Sequence, residues 1–424
     1  MGKSHFQSPR GTRDILPPES DSIRFLLKSF EESLSKAGYG QIISPLFEDV
    51  GVFKRIGEST EIVTKEMFDF FDKDEKSPQH LALRPELTAS ICRAFAQHRP
   101  VAPWKVWYSG PQFRYEKPQA GRYRQFLQVG AEILGTSDPE ADVEIVALAE
   151  TFFRDIGLGN TKLLINSLGD LESRNKYNEQ LVSYLNSQKQ NLSEQSLATL
   201  EKNALRVLDS KREEDQEIIK NAPTMESFLN QESADHFSEV KKGLTALGIA
   251  FEVSPRLVRG LDYYTRTTFE FVSQSLDTAQ NAIGGGGRYD GLVEALGGPP
   301  TEGIGFAIGI DRTLLACAAE HIKFDANTGV DVFVVDTTEG QEALLLAHEL
   351  RKAGIRTDRS FGGRSMKGQM KAADRSGAQY AIIIGTDELE KNQVTLRDLR
   401  GDGNQKLVPR EMVAQNLQTI LQES

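Results

Sequence analysis

The segment QFLQVGAEIL at 125–134 carries side chains suited to binding chemistry at the spacing of a strand. Because successive side chains of a strand point to opposite faces, Gln128, Gly130 and Glu132 share one face, and the apolar residues between them share the other. An amide and a carboxylate on one face, with a glycine leaving room between them, could bind a polar ligand. A solvent-facing side of an antiparallel sheet has the same pattern, and this segment alone favours that ordinary interpretation.

A cationic stretch of irregular sequence precedes this segment. It holds four cations and one carboxylate within FRYEKPQAGRYRQF: Arg114, Lys117, Arg122, Arg124 and Glu116. Pro118 and Gly121 exclude a regular helix, so a loop is expected between two antiparallel strands at 104–109 and 125–134. A cationic loop with aromatic neighbours suits phosphates or the end of a single-stranded nucleic acid. A solvated loop explains the composition equally well.

Two further arginines could bind an anion. Arg259 lies beside Gly260, which would permit close approach of a ligand. Arg312 lies about where the strand GIGFAIGI becomes a helix, so a cation and the positive end of a helix dipole would coincide. This combination suits a triphosphate, and a salt-bridge partner for Arg312 is the alternative.

Aromatic and glycine-rich sequence lies between these two arginines. Tyr263 and Tyr264 would point to opposite faces of a regular strand, so at least one is expected in the core. Gly284–Gly287 could form a ligand wall or a sharp turn between strands. Further on, GRSMKGQM at 363–370 only imitates a phosphate-binding P-loop, because Gln369 stands where lysine is required. Walker-type nucleotide binding is therefore rejected.

Composition narrows the class of protein. Of 424 residues, 39% are hydrophobic and 26% are charged, which indicates a globular chain of at least two domains. No apolar run suits a membrane span and no secretory signal is visible, so the cytoplasm is the expected compartment. Cys92 and Cys317 are isolated and no two histidines share i, i+4 spacing, so no zinc or other protein-bound metal is expected. The net charge of -11 argues against indiscriminate polyanion binding but leaves a local basic patch possible.

Hydrophobic periodicity predicts helices at 19–37 and 139–156 in the first part of a core, residues 1–169. The second helix has Asp138 as its expected N-cap. Polar sequence at 170–242, with leucines at helical spacing, predicts a mostly helical insertion.

Strand-like sequence returns at 243–322, where the first core resumes. After a polar linker, strands and helices alternate at 330–424. This alternation predicts a separate three-layer α/β domain with a largely parallel sheet.

Taken in order, these segments resemble the core of class II aminoacyl-tRNA synthetases, with FRYEKPQAGRYRQF as the second class motif and GIGFAIGIDR as the third. LVRGLDYYTRTTFEF and AIGGGGRYDGL narrow the resemblance to histidyl-tRNA synthetases, which PRGTRDILP, ALRPELTAS and VLDSK also match. The resemblance runs almost end to end. It implies an α+β core, in which helices flank an antiparallel sheet, with a helical insertion and a C-terminal α/β anticodon-binding domain.

The resemblance also implies the reaction and the partners. Histidine would be activated with ATP and transferred to the 3′ end of tRNA(His), by a cytoplasmic homodimer that uses Mg²⁺ with the ATP phosphates. For histidine binding it implies Glu86, Leu87, Thr88, Arg114, Gln128, Glu132, Arg259, Tyr263, Tyr264 and Tyr289. For ATP binding it implies Arg114, Glu116, Arg122, Phe126 and Arg312. Arg259 and Arg114 are the residues expected to act in catalysis, at the α-phosphate.

Some positions depart from the family's usual residues. Leu87 stands where glycine is frequent, Leu127 where a more polar residue is frequent, and Ala204 where proline is common.

A basic cluster occurs in the C-terminal domain. It has eight cations and only two carboxylates: Arg351, Lys352, Arg356, Arg359, Arg364, Lys367, Lys371 and Arg375, with Asp358 and Asp374. This basic cluster is hypothesised to contact the anticodon stem.

Two other functions are compatible with parts of this pattern. One is a regulatory subunit of ATP phosphoribosyltransferase, which resembles the core but typically lacks the anticodon domain and the arginines and tyrosines named above. The other is a prolyl, threonyl or glycyl synthetase, against which LVRGLDYYT and GGGGRYDG discriminate.

Overall fold

The computed structural model describes residues 6–55, 57, 62–258, 263–277, 281–324, 329–338 and 340–423. The chain forms two compact units, residues 1–324 and 325–424. Arg259 lies outside the described residues. None of the helices in the described ranges is both long and apolar enough to cross a membrane.

Unit 1 is built on two sheets. Its described strands are β1 (Gly40–Gln41), β2 (Phe47–Asp49), β3 (Phe68–Phe71), β4 (His80–Leu83), β5 (Trp104–Phe113), β6 (Gln125–Leu134), β7 (Thr161–Ser167), β8 (Glu252–Val253), β9 (Thr265–Ser273), β10 (Ala282–Arg288) and β11 (Gly303–Gly309). The larger sheet has the order β1-β5-β6-β11-β10-β9-β7-β8, and β2, β4 and β3 form a smaller one. Every pairing in the larger sheet is antiparallel except the two at its edges, β1 with β5 and β7 with β8.

Helices cover one face of the larger sheet. The described α-helices of unit 1 are α1 (Glu19–Lys36), α2 (Val50–Lys54), α3 (Thr88–His98), α4 (Pro139–Asp155), α5 (Leu171–Ser187), α6 (Glu194–Leu200), α7 (Glu213–Asn221), α8 (Gln231–Ala246), α9 (Leu292–Ala295) and α10 (Ile310–Ala319). α1, α4, α8 and α10 bury apolar side chains against Val129, Ala131 and Ile133 of β6. The predicted apolar face of that strand is thus confirmed.

Phe30 lies at the centre of this core. Its ring is fully buried and meets the rings of Trp107, Phe152 and Phe306 edge-on, at centroid distances of 6.1, 5.3 and 6.0 Å. Edge-to-face contacts of this kind stabilise beyond the area they bury. The predicted helices at 19–37 and 139–156 are confirmed within a residue, and Asp138 caps α4 by accepting a hydrogen bond from the backbone N–H of Glu140 at 2.9 Å.

Residues 170–242 contain α5, α6, α7 and most of α8, with a separate apolar cluster around Tyr177, Leu181 and Val207. The boundaries of the four predicted segments remain predictions.

Unit 2 has three layers, as predicted. Its described elements are β12 (Val332–Asp336), α11 (Gln341–Lys352), β13 (Thr357–Arg359), α12 (Met366–Arg375), β14 (Tyr380–Ile384), α13 (Thr386–Glu390), β15 (Gln393–Asp398), β16 (Gln405–Pro409) and α14 (Val413–Glu423). α11 and α14 share one apolar cluster with the sheet, and α12 lies in another.

The sheet of unit 2 is mixed, so the prediction of a largely parallel sheet was wrong. β12 pairs in parallel with β13 and β14, whereas β14 with β15 and β15 with β16 are antiparallel. Parallel neighbours need a crossover of about a dozen residues or more. Only residues 385–392 separate β14 from β15, and a Gly-containing turn at 399–404 joins β15 to β16, so both connections are too short.

Candidate active site

A pocket of about 390 Å³ opens on the face of the larger sheet opposite to the helix-packed core. It is lined by most of the residues singled out from the sequence: Glu86, Leu87, Thr88, Arg114, Glu116, Arg122, Phe126, Gln128, Tyr263, Tyr264, Tyr289 and Arg312. Residues as far apart in sequence as Gln128 and Gly309 meet here because β6 and β11 are neighbours in the sheet and β10 follows next.

Glu132 lies immediately behind the wall of this pocket. Its carboxylate is fully buried, and it accepts hydrogen bonds from the hydroxyls of Tyr289 at 2.7 Å and Thr88 at 2.9 Å. A Cβ on Gly305 would come within 1.5 Å of Glu132 Oε2, so the carboxylate reaches the pocket wall only because residue 305 is glycine. The solvent-facing interpretation of this strand face is therefore wrong.

Burial dominates the electrostatics of Glu132. Loss of water raises the pKa of its carboxyl to about 8, although the Tyr289 and Thr88 hydroxyls oppose the shift by stabilising the anion. The nearby Glu86 carboxylate raises the pKa further. A side chain at Gly130, two residues before Glu132, would collide with Tyr108, whose hydroxyl lies 2.3 Å from where a Cβ would be.

Glu86 holds the start of α3 at the pocket. Its carboxylate accepts hydrogen bonds from the backbone N–H groups of Thr88 at 2.8 Å and Ala89 at 2.9 Å. Burial raises its pKa, while those two N–H groups and the charge of Arg114 oppose the rise. Arg114 is itself fixed, because its Nε donates to the carbonyl oxygen of Pro85 at 2.9 Å.

Three tyrosines form an aromatic wall. The rings of Tyr263 and Tyr264 contact each other with centroids 4.6 Å apart, and Tyr289 meets Tyr263 edge-on at 5.9 Å. Opposite faces were expected for Tyr263 and Tyr264 only on a regular strand, and that condition is not met, because β9 begins at Thr265; both rings line the pocket. Tyr264 is also buried, as expected of at least one of the pair.

The other end of the pocket is cationic. Arg114, Arg122 and Arg312 line it together, and the Arg114 guanidinium lies 5.3 Å from the centre of the Phe126 ring. The Nη1 of Arg312 donates to the carbonyl oxygen of Ala282 at 2.9 Å, so its position is fixed without a carboxylate. Burial, followed by the charge of Arg122, lowers the pKa of Arg312. Three cations at one end favour a polyanionic ligand.

Glu116 and Arg122 have hydrogen-bonding capacity to spare. Their charged ends lie 3.3 Å apart, yet Glu116 Oε2 and Arg122 Nε are buried and make no hydrogen bond with any described residue. Buried polar atoms are almost always paired. A ligand with one donor and one acceptor at this point would satisfy both.

Gly284–Gly287 lie within β10, not in a turn. A Cβ on Gly286 would meet the Gly305 carbonyl oxygen at 1.9 Å, and one on Gly287 would meet the Thr267 carbonyl oxygen at 2.7 Å. Gly284 and Gly285 line the pocket. The ligand-wall interpretation of the run therefore holds, and the other two glycines permit close packing of neighbouring strands.

The sequence reasoning missed two acidic residues of the pocket, Glu270 on β9 and Asp311 at the start of α10. The alternation of TRTTFEFV pointed to the first, because Phe269 and Phe271 occupy the buried face. No local pattern marked the second. Its partners are Leu127 and Arg13, which lie 184 and 298 positions away.

An antiparallel sheet with helices on one face, and with a pocket on the other that joins an acidic aromatic end to an arginine-lined end, is the architecture of a class II aminoacyl-tRNA synthetase. Comparison with known proteins identifies the family within this class. The family model of histidyl-tRNA synthetase matches residues 11–313, and that of an anticodon-binding domain matches 330–420. The chain belongs to the histidyl-tRNA synthetase family.

Individual relatives agree over nearly the whole length. A histidine–tRNA ligase of Rhodococcus erythropolis is 47% identical, with 99% of each chain covered, and one of a Geobacillus strain is 44% identical, covering 98% of this chain and 99% of the other. The crystal structure of apo histidyl-tRNA synthetase from S. aureus is 36% identical, has a TM-score of 0.81, and covers 97% of this chain and 99% of that one. The expected fold class and family are thereby confirmed.

Proposed function

We propose that the pocket of unit 1 activates L-histidine with ATP and that the enzyme then transfers the histidyl group to the 3′ end of tRNA(His). In the first step an oxygen of the histidine carboxylate attacks the α-phosphorus, and the bond to the β-phosphate oxygen breaks, releasing diphosphate. In the second step a ribose hydroxyl of the terminal adenosine attacks the acyl carbon, and AMP leaves. The observation that carries the proposal is the buried Glu132 carboxylate beside an arginine-lined pocket.

The imidazole of histidine would bind between Glu132 and Tyr264, with Tyr263 and Tyr289 around it. Imidazole has a nitrogen at each side, so a site that pairs with both rejects analogues lacking them by roughly 10⁴-fold. Glu132 Oε2 receives one hydrogen bond, from Tyr289, among the described residues, which leaves it capacity to accept another from a ring N–H. The α-ammonium would lie by Glu86, Leu87 and Thr88, and the carboxylate by Gln128.

ATP would occupy the cationic end. Glu116 Oε2 is buried and forms an ion pair with Arg122 but accepts no hydrogen bond from a described residue, which supports an adenine amino group as its donor. Phe126 would lie against the ring and Arg122 at the phosphates. We assign Arg114 to the α-phosphate and Arg312 to the γ-phosphate. Arg259 is proposed to act with Arg114 on the charge that builds at the α-phosphate, on family resemblance alone.

Mg²⁺ would enter with ATP. The described residues contain no cluster of three or more His, Cys, Asp or Glu side chains that could hold a metal ion. Mg²⁺ needs no such cluster, since it commonly binds through one or two carboxylates and substrate phosphates. Glu270 lines the pocket near Arg312 and is the carboxylate proposed for this role. The ion would neutralise charge on the phosphate oxygens.

tRNA binding is proposed for unit 2. The basic cluster lies at the end of α11, within and on both sides of β13, and along α12. Lys367 and Lys371 on α12 are exposed, whereas Arg356 is committed to an ion pair with Asp331. Deleting residues 330–424 should lower tRNA affinity and reduce its dependence on salt. An unchanged salt dependence would contradict this assignment.

A cytoplasmic homodimer is the proposed assembly. Large apolar side chains are exposed on and beside the small sheet of unit 1: Ile43, Leu46, Phe47, Phe70 and Phe71. Phe47 and Phe70 contact each other, with ring centroids 6.3 Å apart, so these two rings form an exposed apolar patch. Contiguous apolar patches of this kind typically mark association surfaces. A second copy of the chain is the partner proposed here.

The first test is histidine-dependent exchange of labelled pyrophosphate into ATP by the purified protein without tRNA. Exchange with histidine, competition by histidinol and no exchange with other amino acids are expected. Exchange with proline, threonine or glycine instead would assign another synthetase. Histidine binding without any exchange would favour a regulatory paralogue.

A further inference from the structure

We infer that Arg13 is a positioning residue for the ATP end of the pocket, acting through Asp311 and the loop at 114–124. The inference rests on the proposed ATP site. The hydrogen bonds of Arg13 go to Glu19 and Asp311, not to a described residue proposed to bind ATP, and Arg13 belongs to an N-terminal segment that precedes α1. Its contacts nevertheless reach the two elements from which the ATP-binding side chains project.

The first contact is a shared carboxylate. Arg13 Nη2 donates to Asp311 Oδ1 at 2.9 Å, and Asp311 Oδ2 accepts a hydrogen bond from the backbone N–H of Leu127 at 3.1 Å. Asp311 precedes Arg312, and Leu127 follows Phe126. One buried carboxylate therefore fixes the start of α10 to the start of β6, and Arg13 holds that carboxylate in place.

The second contact is between backbones. The Gly11 carbonyl oxygen accepts a hydrogen bond from the N–H of Arg124 at 2.7 Å, and the Arg124 carbonyl oxygen accepts one from the N–H of Arg114 at 3.0 Å. Gly11 has φ +84°, and a Cβ there would lie 2.8 Å from the side chain of Arg124. Only glycine permits this approach, so the N-terminal segment lies directly against the loop that carries Arg114.

Arg13 completes the arrangement by three simultaneous interactions. Besides Asp311 it donates to Glu19 on α1 at 2.7 Å, and its guanidinium lies 4.6 Å from the centre of the Tyr123 ring. Tyr123 adjoins Arg122 and lines the pocket. A planar guanidinium makes a forked hydrogen bond and a ring contact at once, which lysine cannot do.

The test is a split of kinetic constants in the exchange assay. Arg13→Met should raise KM for ATP by about tenfold, because a charge-assisted contact is lost, and should leave KM for histidine within about twofold. Arg13→Lys should give an intermediate KM for ATP. Asp311→Asn should also raise KM for ATP. The double variant should have a KM for ATP no higher than that of the more impaired single variant, since the two side chains act as one unit.

Arg24→Met is the matched control. Arg24 lies on α1 and is exposed, and its ion pair, at 3.3 Å, is with Asp21 on the same helix rather than with the loop at 114–124. Equal rises of both KM values in Arg13→Met, additive effects with Asp311→Asn, or behaviour like Arg24→Met would overturn the inference. If Arg13→Met does not fold, Arg13→Lys with Asp311→Asn decides the same question. If the unmodified enzyme shows no histidine-dependent exchange, the proposed function is refuted instead.

Discussion

Replacing Glu132 by glutamine should stabilise the fold in alkaline solution while it strongly lowers the rate of histidine activation. Burial raises the pKa of this carboxyl to about 8, from an ordinary value of 4.5 in the unfolded chain. Between those values the folded state holds a proton that the unfolded state has released. Stability conferred by that proton is fully present below pH 4.5, falls as the pH rises, and is lost above pH 8.

The magnitude follows from the width of this window. From pH 5 to pH 8 the loss is about 4 kcal/mol, at about 1.36 kcal/mol per pH unit. For a unit of this size the unfolding entropy is about 0.7 kcal/mol/K, so the loss corresponds to about 6 °C in Tm. Glutamine does not titrate. The difference in Tm between the Glu132→Gln variant and the unmodified enzyme should therefore grow by about 6 °C between pH 5 and pH 8.5.

Two assays check this reasoning. Differential scanning fluorimetry at both pH values gives the Tm difference, and pyrophosphate exchange should fall about a hundredfold, because the carboxyl group that pairs with the ligand's imidazole is removed. A Tm difference independent of pH would refute the titration of Glu132 inferred here. Exchange at the unmodified rate would refute its contact with histidine.

Asp142→Asn is the control, because the pKa of this buried carboxyl is lowered rather than raised. Burial acts on Asp142 as on Glu132, but its hydrogen bond with His236 and the charge of Arg288 outweigh burial and lower its pKa. Its stabilisation is present above the ordinary pKa of 3.8 and is lost only as the pH falls below it. Asp142→Asn should consequently lower Tm by the same amount at pH 5 and pH 8.5.

Three other substitutions test the core, the pocket and the assembly. Phe30→Ala should cost about 3–5 kcal/mol of stability by opening a cavity, with KM values unchanged in the variant that remains folded; calorimetry and exchange kinetics check this. Gly305→Ala should abolish histidine binding in calorimetric titration, since its Cβ would collide with Glu132, whereas Gly40→Ala, which meets nothing within 4 Å, should bind normally. Phe47→Asp should change the sedimentation coefficient from that of a dimer to that of a monomer. If the unmodified enzyme also sediments as a monomer, the proposed dimer is contradicted.

Local periodicity predicted which side chains share a face, but only the family resemblance indicated that this face is a binding site. The alternation in β6 placed Gln128 and Glu132 on one face, and the structure puts that face at the pocket because its other face packs under α1 and α4. Asp138 followed by proline predicted the start of α4 in the same way. These features depend on neighbours in sequence, which a single chain reveals.

Features that depend on distant partners were not predictable in this way. Tyr263 and Tyr264 belong by composition to a strand, but the strand begins one residue later and their rings turn toward Tyr289. Asp311 has a role only because Arg13 and Leu127 come to it from elsewhere. Connection length, rather than strand propensity, decided the antiparallel half of the sheet in unit 2.

The contact between Arg13 and Asp311 joins residues 298 positions apart, nearly the whole of unit 1. A ribosome adds about 5–20 residues per second, so Arg13 is made roughly 15–60 seconds before its partner. β11, which lies between β6 and β10, is the last of the described strands of unit 1 to be made. A nascent chain that ends before Gly303 therefore has neither β11 nor the contact between Arg13 and Asp311, and we expect it to consume no ATP.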